Sequence, residues 1–393
     1  MVAKNNPGQE AGRARNLRIV DFIRQAPRGG RAFRGALAAL AVILGSCLSF
    51  AANAEQAGTE VTRPSAVILL YHRFGEEAHP STNTSAEQLT AHIKELASGR
   101  YAVLPLADLA GALKASLPIP DRTVAVTVDD AYASVFEVAR PLFKKHKIPY
   151  AVFVATDHVD NGYPGYMSWD QLRTLRDEGV TIGHHTARHL RMVDASDEDI
   201  RAEISRASGR FQAELGFVPR LFAYPYGEYG ARVRALVIEA GFDAAFAQFS
   251  GAAQAGDDLF TLPRFALNER YGDLDRLRLI LDALPMPVGD IEPADPVINV
   301  NPPIVSFKPL AAMESLSGLS CYPSHMGAAA PIEAMPEGRR RIVIAEPFPA
   351  GRGRINCTAQ GKDGRWRWLG IPVYVKSAVA PGSGAPDRTD QND

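Results

Sequence analysis

The sequence predicts an α/β fold, in which repeated βα units build a parallel sheet and a small all-β domain follows. Three observations predict it. From residue 65 to about residue 285, apolar runs of strand length alternate with stretches of helical periodicity. The residues richest in chemistry directly follow those apolar runs, and parallel α/β folds collect their active groups at strand C-termini. Beyond the Pro-rich stretch 286–303 the helical periodicity stops, and Gly and Pro turns separate short strand-like pieces.

Each element has its own signal. Residues 66–71 form a continuous apolar run, the pattern of a strand buried on both faces. A helix over 85–96 places Leu89, Ile93 and Leu96 on one face. A strand over 101–106 and a short helix over 106–114 come next, then a strand over 123–128 that ends at Asp129 and Asp130. A helix over 133–146 leads to a strand over 150–155. Ser168 reads as the N-cap of a helix that runs to Glu178 and stops at Gly179. A strand over 180–183 ends at the histidines, and Ser196 with Asp199 resembles a capping box opening a helix that stops near Gly216. A strand over 221–223 ends at Tyr224-Pro225, and a helix over 231–240 stops at Gly241. Strands over 244–249 and 260–265 and a helix over 273–284 complete the repeats. Strands at 304–307, 341–345, 354–358 and 366–375 would make a small β-sandwich. The expected organisation is an α/β domain over 65–285, a linker over 286–303, a β domain over 304–377 and a disordered tail over 378–393.

The chain has 393 residues, 46% hydrophobic content and a formal net charge of -1. That buries at least one large core and excludes a protein built to neutralise nucleic-acid phosphates. At the N-terminus, Arg13, Arg15, Arg18, Arg24, Arg28, Arg31 and Arg34 precede an apolar run over 35–44, and Ala52-Asn53-Ala54 supplies small residues at the cleavage spacing. This reads as a signal peptide over 1–54, since the apolar run is short for a spanning helix. Leu44-Gly45-Ser46-Cys47 resembles a lipobox, which makes a lipid anchor through Cys47 the alternative; both readings export the protein to the periplasm or beyond the cell. In that oxidising setting Cys321 and Cys357 are expected to form a disulfide.

Asp130, His185 and His189 offer the carboxylate and imidazole ligands of a divalent cation, with Asp129 as a free carboxylate beside them. If the chain turns into a helix after Gly183, the two imidazoles, four residues apart, project from one face. His184 offers a second register, as ligand or as a supporting residue. An Asp-Asp pair is also a common solvated turn, and two His with one carboxylate also suit non-heme iron, usually on all-β scaffolds.

Taken in order, Thr127-Val128-Asp129-Asp130, His185-Thr186-Ala187-Arg188-His189 and Pro225-Tyr226-Gly227 resemble the first three motifs of the NodB-homology polysaccharide deacetylases, carbohydrate esterase family four. The resemblance covers residues 65–285 and implies a distorted (β/α) barrel of the NodB-homology type that removes N-acetyl groups from amino-sugar polymers with a bound metal. It implies Asp129 as the base and Asp130, His185 and His189 as ligands of one divalent ion, zinc before cobalt or nickel. It also implies that the Tyr226 backbone N–H helps hold the oxyanion, with Tyr224 and Pro225 at the substrate.

Two departures follow. The family's Leu-x-His run near the domain end is absent, and Leu70-Tyr71-His72 stands instead at the end of the first strand. That resembles the circularly permuted subgroup acting on poly-β-1,6-N-acetylglucosamine, with His72 as general acid. Ala223 stands where many members carry an Arg that orients the base, and Arg264 is expected to supply that charge. Trp169 is expected to line the sugar groove, with packing as the alternative. Trp366, Trp368 and Tyr374 share one strand parity, and face either sugar rings or the core of the β domain.

The expected protein is a monomer acting on an N-acetylglucosamine polymer, working with cell-envelope or exopolysaccharide export machinery and without nucleic acid. The alternatives are a metal amidase acting on small amides and a non-catalytic carbohydrate-binding pseudo-deacetylase.

Overall fold

A computed structural model describes residues 63–377, so the expected signal peptide, Cys47 and the 378–393 tail lie outside the described residues. Six strands run parallel in the order Ser65–Tyr71, Thr123–Val128, Ala151–Val154, Thr181–His184, Leu221–Ala223 and Ala244–Phe246. The sheet curls into a half-barrel. Leu262 bridges to Phe246 at one edge, and the strand Phe265–Ala266 lies parallel to Leu69 and Leu70 at the other. One short segment therefore spans the two ends of the sheet, and Arg264 stands in its middle.

Strand alternation sorts the core. Val67, Leu69 and Tyr71 join Val124, Val126 and Val128 under the helices, whereas Ala66, Ile68, Ala125, Phe153, Ala223 and Phe246 form a second cluster on the other side of the sheet. Each fully buried Val, Leu, Ile or Phe contributes about 1.5–3 kcal/mol. Helix ends follow their caps: Ser85 and Ser168 each make a reciprocal capping box with Gln88 and Gln171, and Gly216 stops its helix in the left-handed conformation. The expected helix over 133–146 is instead a π-helical turn, Val135–Ala139, running into the α-helix Arg140–His146.

The C-terminal part holds a five-stranded and a four-stranded sheet, whose buried faces share one cluster including Val305, Phe307, Ile342, Ile355 and Ile371. Cys321 and Cys357 are cross-strand partners joined as a disulfide. The strand Ser317–Pro323, which carries Cys321, has no clear sequence pattern. The Pro-rich stretch 286–303 differs from a bare linker. Val288–Glu292 pairs with Val305–Pro309, and Val297–Ile298 pairs with Trp366–Val375, because Pro residues sit between the paired segments rather than inside them. Trp368 and Tyr374 take neither expected place: Trp368 meets Phe265 edge-on at 5.2 Å, and Tyr374 packs among Phe222, Tyr224 and Val233.

Candidate metal centre

The parallel register assembles the first part of the site. The Asp129 N–H donates to the Tyr71 carbonyl at 2.9 Å, so His72 follows its strand beside Asp129 and Asp130. Asp130 (φ 72°) and Ala131 (φ 62°) then both take left-handed backbone. Thr186 (φ 64°), His189 (φ 59°) and Tyr226 (φ 59°) do the same in the other two loops. Five of the ten non-glycine residues described with positive φ thus lie in three short loops, the distribution expected where strain is held for function.

The histidine loop is not a helix, which corrects the expectation of one helical face. It crosses from the strand Thr181–His184 to the helix Asp197–Leu215 without regular structure. The left-handed residues bring the two rings to 4.8 Å between centroids. Glu203 fixes the bend: its buried carboxylate accepts the N–H groups of Ala187 at 3.2 Å and Arg188 at 2.9 Å. Glu203 escaped the sequence reading, although an acidic residue on the apolar stripe of Ile200, Ile204, Ala207 and Phe211 was the available signal.

Asp130, His185 and His189 each present a ligand atom within 4.8 Å of the others. Asp130 Oδ1 lies 3.4 Å from His185 Nε2 and 3.5 Å from His189 Nε2, and this buried oxygen accepts no hydrogen bond. His185 Nδ1 lies 2.7 Å from the Ala223 carbonyl, so Nδ1 carries the proton and Nε2 keeps its lone pair toward Asp130. An unbonded buried carboxylate oxygen facing two imidazole nitrogens fits a divalent cation with nitrogen and oxygen ligands. His184 points elsewhere. Its Nδ1 accepts the Thr186 N–H at 3.1 Å, its Nε2 faces the Ile204 carbonyl at 3.3 Å, and its ring stacks on Phe222.

Asp129 is held by Arg264. Nη1 donates to Oδ1 and Nη2 to Oδ2, both at 2.8 Å, and the guanidinium is fully buried. Nε of Arg264 donates to the Ala247 carbonyl, which anchors the side chain to the far edge of the sheet. Burial alone would raise the Asp129 pKa; the Arg264 guanidinium outweighs it and holds the carboxyl below its ordinary range. Burial likewise works against ionised Asp130, and His189, His185 and His72 outweigh it. Burial lowers His189 to about 3, and lowers His72 against the pull of Asp130 and Asp129. His185 rises despite its burial, because Asp130 and Asp129 favour its charged form.

Other expected residues divide. The Tyr226 ring lies 4.4 Å from the His189 ring, edge-on, and the Arg191 guanidinium sits over it at 4.4 Å. Tyr224 is fully buried, stacks on Tyr229 and donates its hydroxyl to the Phe260 carbonyl at 2.9 Å. Its side chain offers no surface to a substrate, because it points into the core under the turn; this corrects its expected role. Pro225 is buried at the start of that turn. Trp169 is half-buried, donates its indole N–H to Asp160 and packs on Phe211, and none of these contacts reaches the metal cluster. This favours its packing alternative.

Residues 117–245 match the family model for polysaccharide deacetylase. That span contains Asp129, Asp130, His185, His189 and Tyr226 and leaves outside it His72, just after the strand Ser65–Tyr71, and Arg264, just before the strand Phe265–Ala266. The chain is 22% identical over 254 residues to YxkH of Bacillus subtilis (strain 168), provisionally named a polysaccharide deacetylase, covering 56% of this chain and 90% of that protein. It is 23% identical over 201 residues to the poly-β-1,6-N-acetyl-D-glucosamine N-deacetylase of Staphylococcus aureus (strain N315), covering 48% of this chain and 68% of that protein. Its fold is similar to that of the deacetylase PplD of Streptococcus pyogenes, solved with acetate, at a TM-score of 0.52, 20% identity, and coverage of 56% of this chain and 99% of that one. A de-N-acetylase from Aggregatibacter actinomycetemcomitans is similar at a TM-score of 0.50 and 20% identity, over 55% of this chain and 99% of its own. Residues 117–245 thus form a polysaccharide deacetylase domain, of the hydrolase class that acts on carbon–nitrogen bonds other than peptide bonds.

Proposed function

We propose that this protein is an exported, metal-dependent de-N-acetylase of N-acetylglucosamine polymers, with a deacetylase unit over 65–285 and a small β-sandwich over 304–377. One observation carries the reading: Asp130, His185 and His189 converge on one point, while Arg264 holds Asp129 ionised next to them. The S. aureus relative, by its name, acts on the β-1,6 polymer, which supports N-acetylglucosamine as the sugar. The arginine-rich leader and the Cys321–Cys357 disulfide support export. No helix among the described residues is long and apolar enough to cross a membrane.

Asp130, His185 Nε2 and His189 would hold the ion, which when bound polarises the acetamide carbonyl and acidifies a water. Zinc fits the donor set best, with cobalt and nickel as substitutes. Asp129 takes the proton from the attacking water, kept unprotonated for that purpose by Arg264. The Tyr226 N–H would donate to the oxyanion, the role that the resemblance implies for it. His72, neutral at rest because burial lowers its pKa, would receive the proton that Asp129 takes from the water and deliver it to the departing amine. The products are acetate and a free amino sugar. Arg264 occupies the role that Ala223 cannot fill, which favours an active enzyme over a pseudo-deacetylase. Acetate release from N-acetylglucosamine oligomers, with and without a chelator, tests the proposal.

A further inference from the structure

The C-terminal strands meet the site at two adjacent side chains. Arg352 in Gly351–Gln360 and Tyr374 in Trp366–Val375 are directly opposite each other in the antiparallel pair. Strand alternation sends Ile355, Cys357, Ile371 and Val373 into the core of the β domain and leaves Arg352 and Tyr374 on the other face. Arg352 Nη1 donates to the Tyr226 carbonyl at 2.6 Å. The Tyr374 hydroxyl donates to Asp194 Oδ2, also at 2.6 Å.

The two acceptors belong to the two loops that frame the metal centre. Tyr226 is the left-handed non-glycine residue of the Pro-Tyr-Gly turn, and Asp194 lies toward the end of the loop that carries His185 and His189. Arg191 ties the loops to each other, with its guanidinium over the Tyr226 ring and its Nε 3.2 Å from Glu228 Oε2. The strand is seated closely: a Cβ at Gly370 would lie 2.3 Å from the Ser250 carbonyl oxygen, so only glycine lets the backbone approach there. Trp368 against Phe265 fixes the other end.

We propose that Arg352 and Tyr374 are positioning residues of the deacetylase site, and that the small β domain is part of the catalytic unit rather than a detachable module. The proposal rests on the function assigned above. Tyr226 pays a steric penalty for its backbone angles, and a guanidinium on its carbonyl is a charge-assisted restraint that holds the turn, and with it the neighbouring N–H and the ring beside His189. Tyr374 restrains the histidine loop from the same strand pair. Neither residue touches the reacting atoms in this account; both act through the loops they hold.

The test uses the full chain with Arg352→Ala, Arg352→Lys and Tyr374→Phe. Amide hydrogen exchange should rise about 10-fold in 224–228 for Arg352→Ala and in 185–195 for Tyr374→Phe, with the barrel strands unchanged. The kcat for acetate release should fall about 10- to 100-fold while KM stays within about 3-fold. Arg352→Lys, which keeps a charged donor, should recover most of both. Unchanged exchange at both loops overturns the proposal, as does a rise spread over the whole chain with activity lost only in proportion to unfolding. If the unaltered protein releases no acetate, that failure belongs to the functional reading, and the exchange data alone then decide for or against the restraint.

Discussion

Arg264 and Asp129 stand 135 residues apart in sequence and form a fully buried two-point ion pair, both contacts at 2.8 Å. The pair also crosses the seam where the curled sheet closes, since Arg264 sits between the strand that meets Leu69 and the bridge that meets Phe246. The restraint on the proposed base and the closure of the sheet therefore share one side chain.

Replacing Arg264 should have two separable effects. Arg264→Met leaves a buried carboxylate without its partner, which costs about 3–5 kcal/mol and lowers Tm. It also removes the group that holds Asp129 below its ordinary range, so burial acts unopposed and the Asp129 pKa rises. The base must be ionised to work, so the acidic limb of the kcat/KM profile should move to higher pH. A limb that stays in place would assign it to another group. Arg264→Lys keeps the charge but not the fork, and should retain more stability than activity.

Asp129→Asn removes the proposed base and leaves the three proposed ligands intact. Deacetylation should fall by at least about 100-fold while the protein still takes up one equivalent of metal, read by elemental analysis after dialysis. Loss of metal together with activity would place Asp129 among the ligands instead.

His185→Ala should abolish metal uptake, because it removes both the Nε2 donor facing Asp130 and the link to the Ala223 carbonyl. His184→Ala should act differently. It opens a cavity between Phe222, Phe211 and Phe242 and lowers Tm, with metal stoichiometry unchanged. Equal effects on metal from the two variants would contradict the register assigned here.

The Cys321–Cys357 bond joins residues 36 apart in adjacent strands. Reduction should destabilise the protein by about 2–4 kcal/mol through the freed unfolded chain, seen as a lower Tm. The Cys residues lie in the core of the β domain, away from Arg352 and Tyr374, so activity of the still-folded fraction should persist.

Much of this was legible because it is local. Ser85, Ser168, Ser196 and Gly216 act through neighbours one turn away, so helix ends read directly from sequence. The strands ending at Val128, His184 and Ala223 were legible from apolar runs, and the loops after them carry the candidate metal ligands and the Pro-Tyr-Gly turn. What was missed depends on long-range geometry. The histidine loop converges through left-handed Thr186 and His189, which residue type alone does not announce. Tyr224 and Tyr226 are near-identical as letters, yet one is core and the other faces His189, because the left-handed turn reverses the chain between them. Arg352 and Tyr374 are ordinary strand residues until their register with one another, and their contact with a loop far away in sequence, is known.

The most direct measurement is acetate release from β-1,6- and β-1,4-linked N-acetylglucosamine oligomers by the mature protein, before and after chelation and after adding back zinc, cobalt or nickel. The account predicts release that a chelator stops and added metal restores, with the β-1,6 series preferred. Release indifferent to the chelator, or none from either series with metal bound, would contradict it.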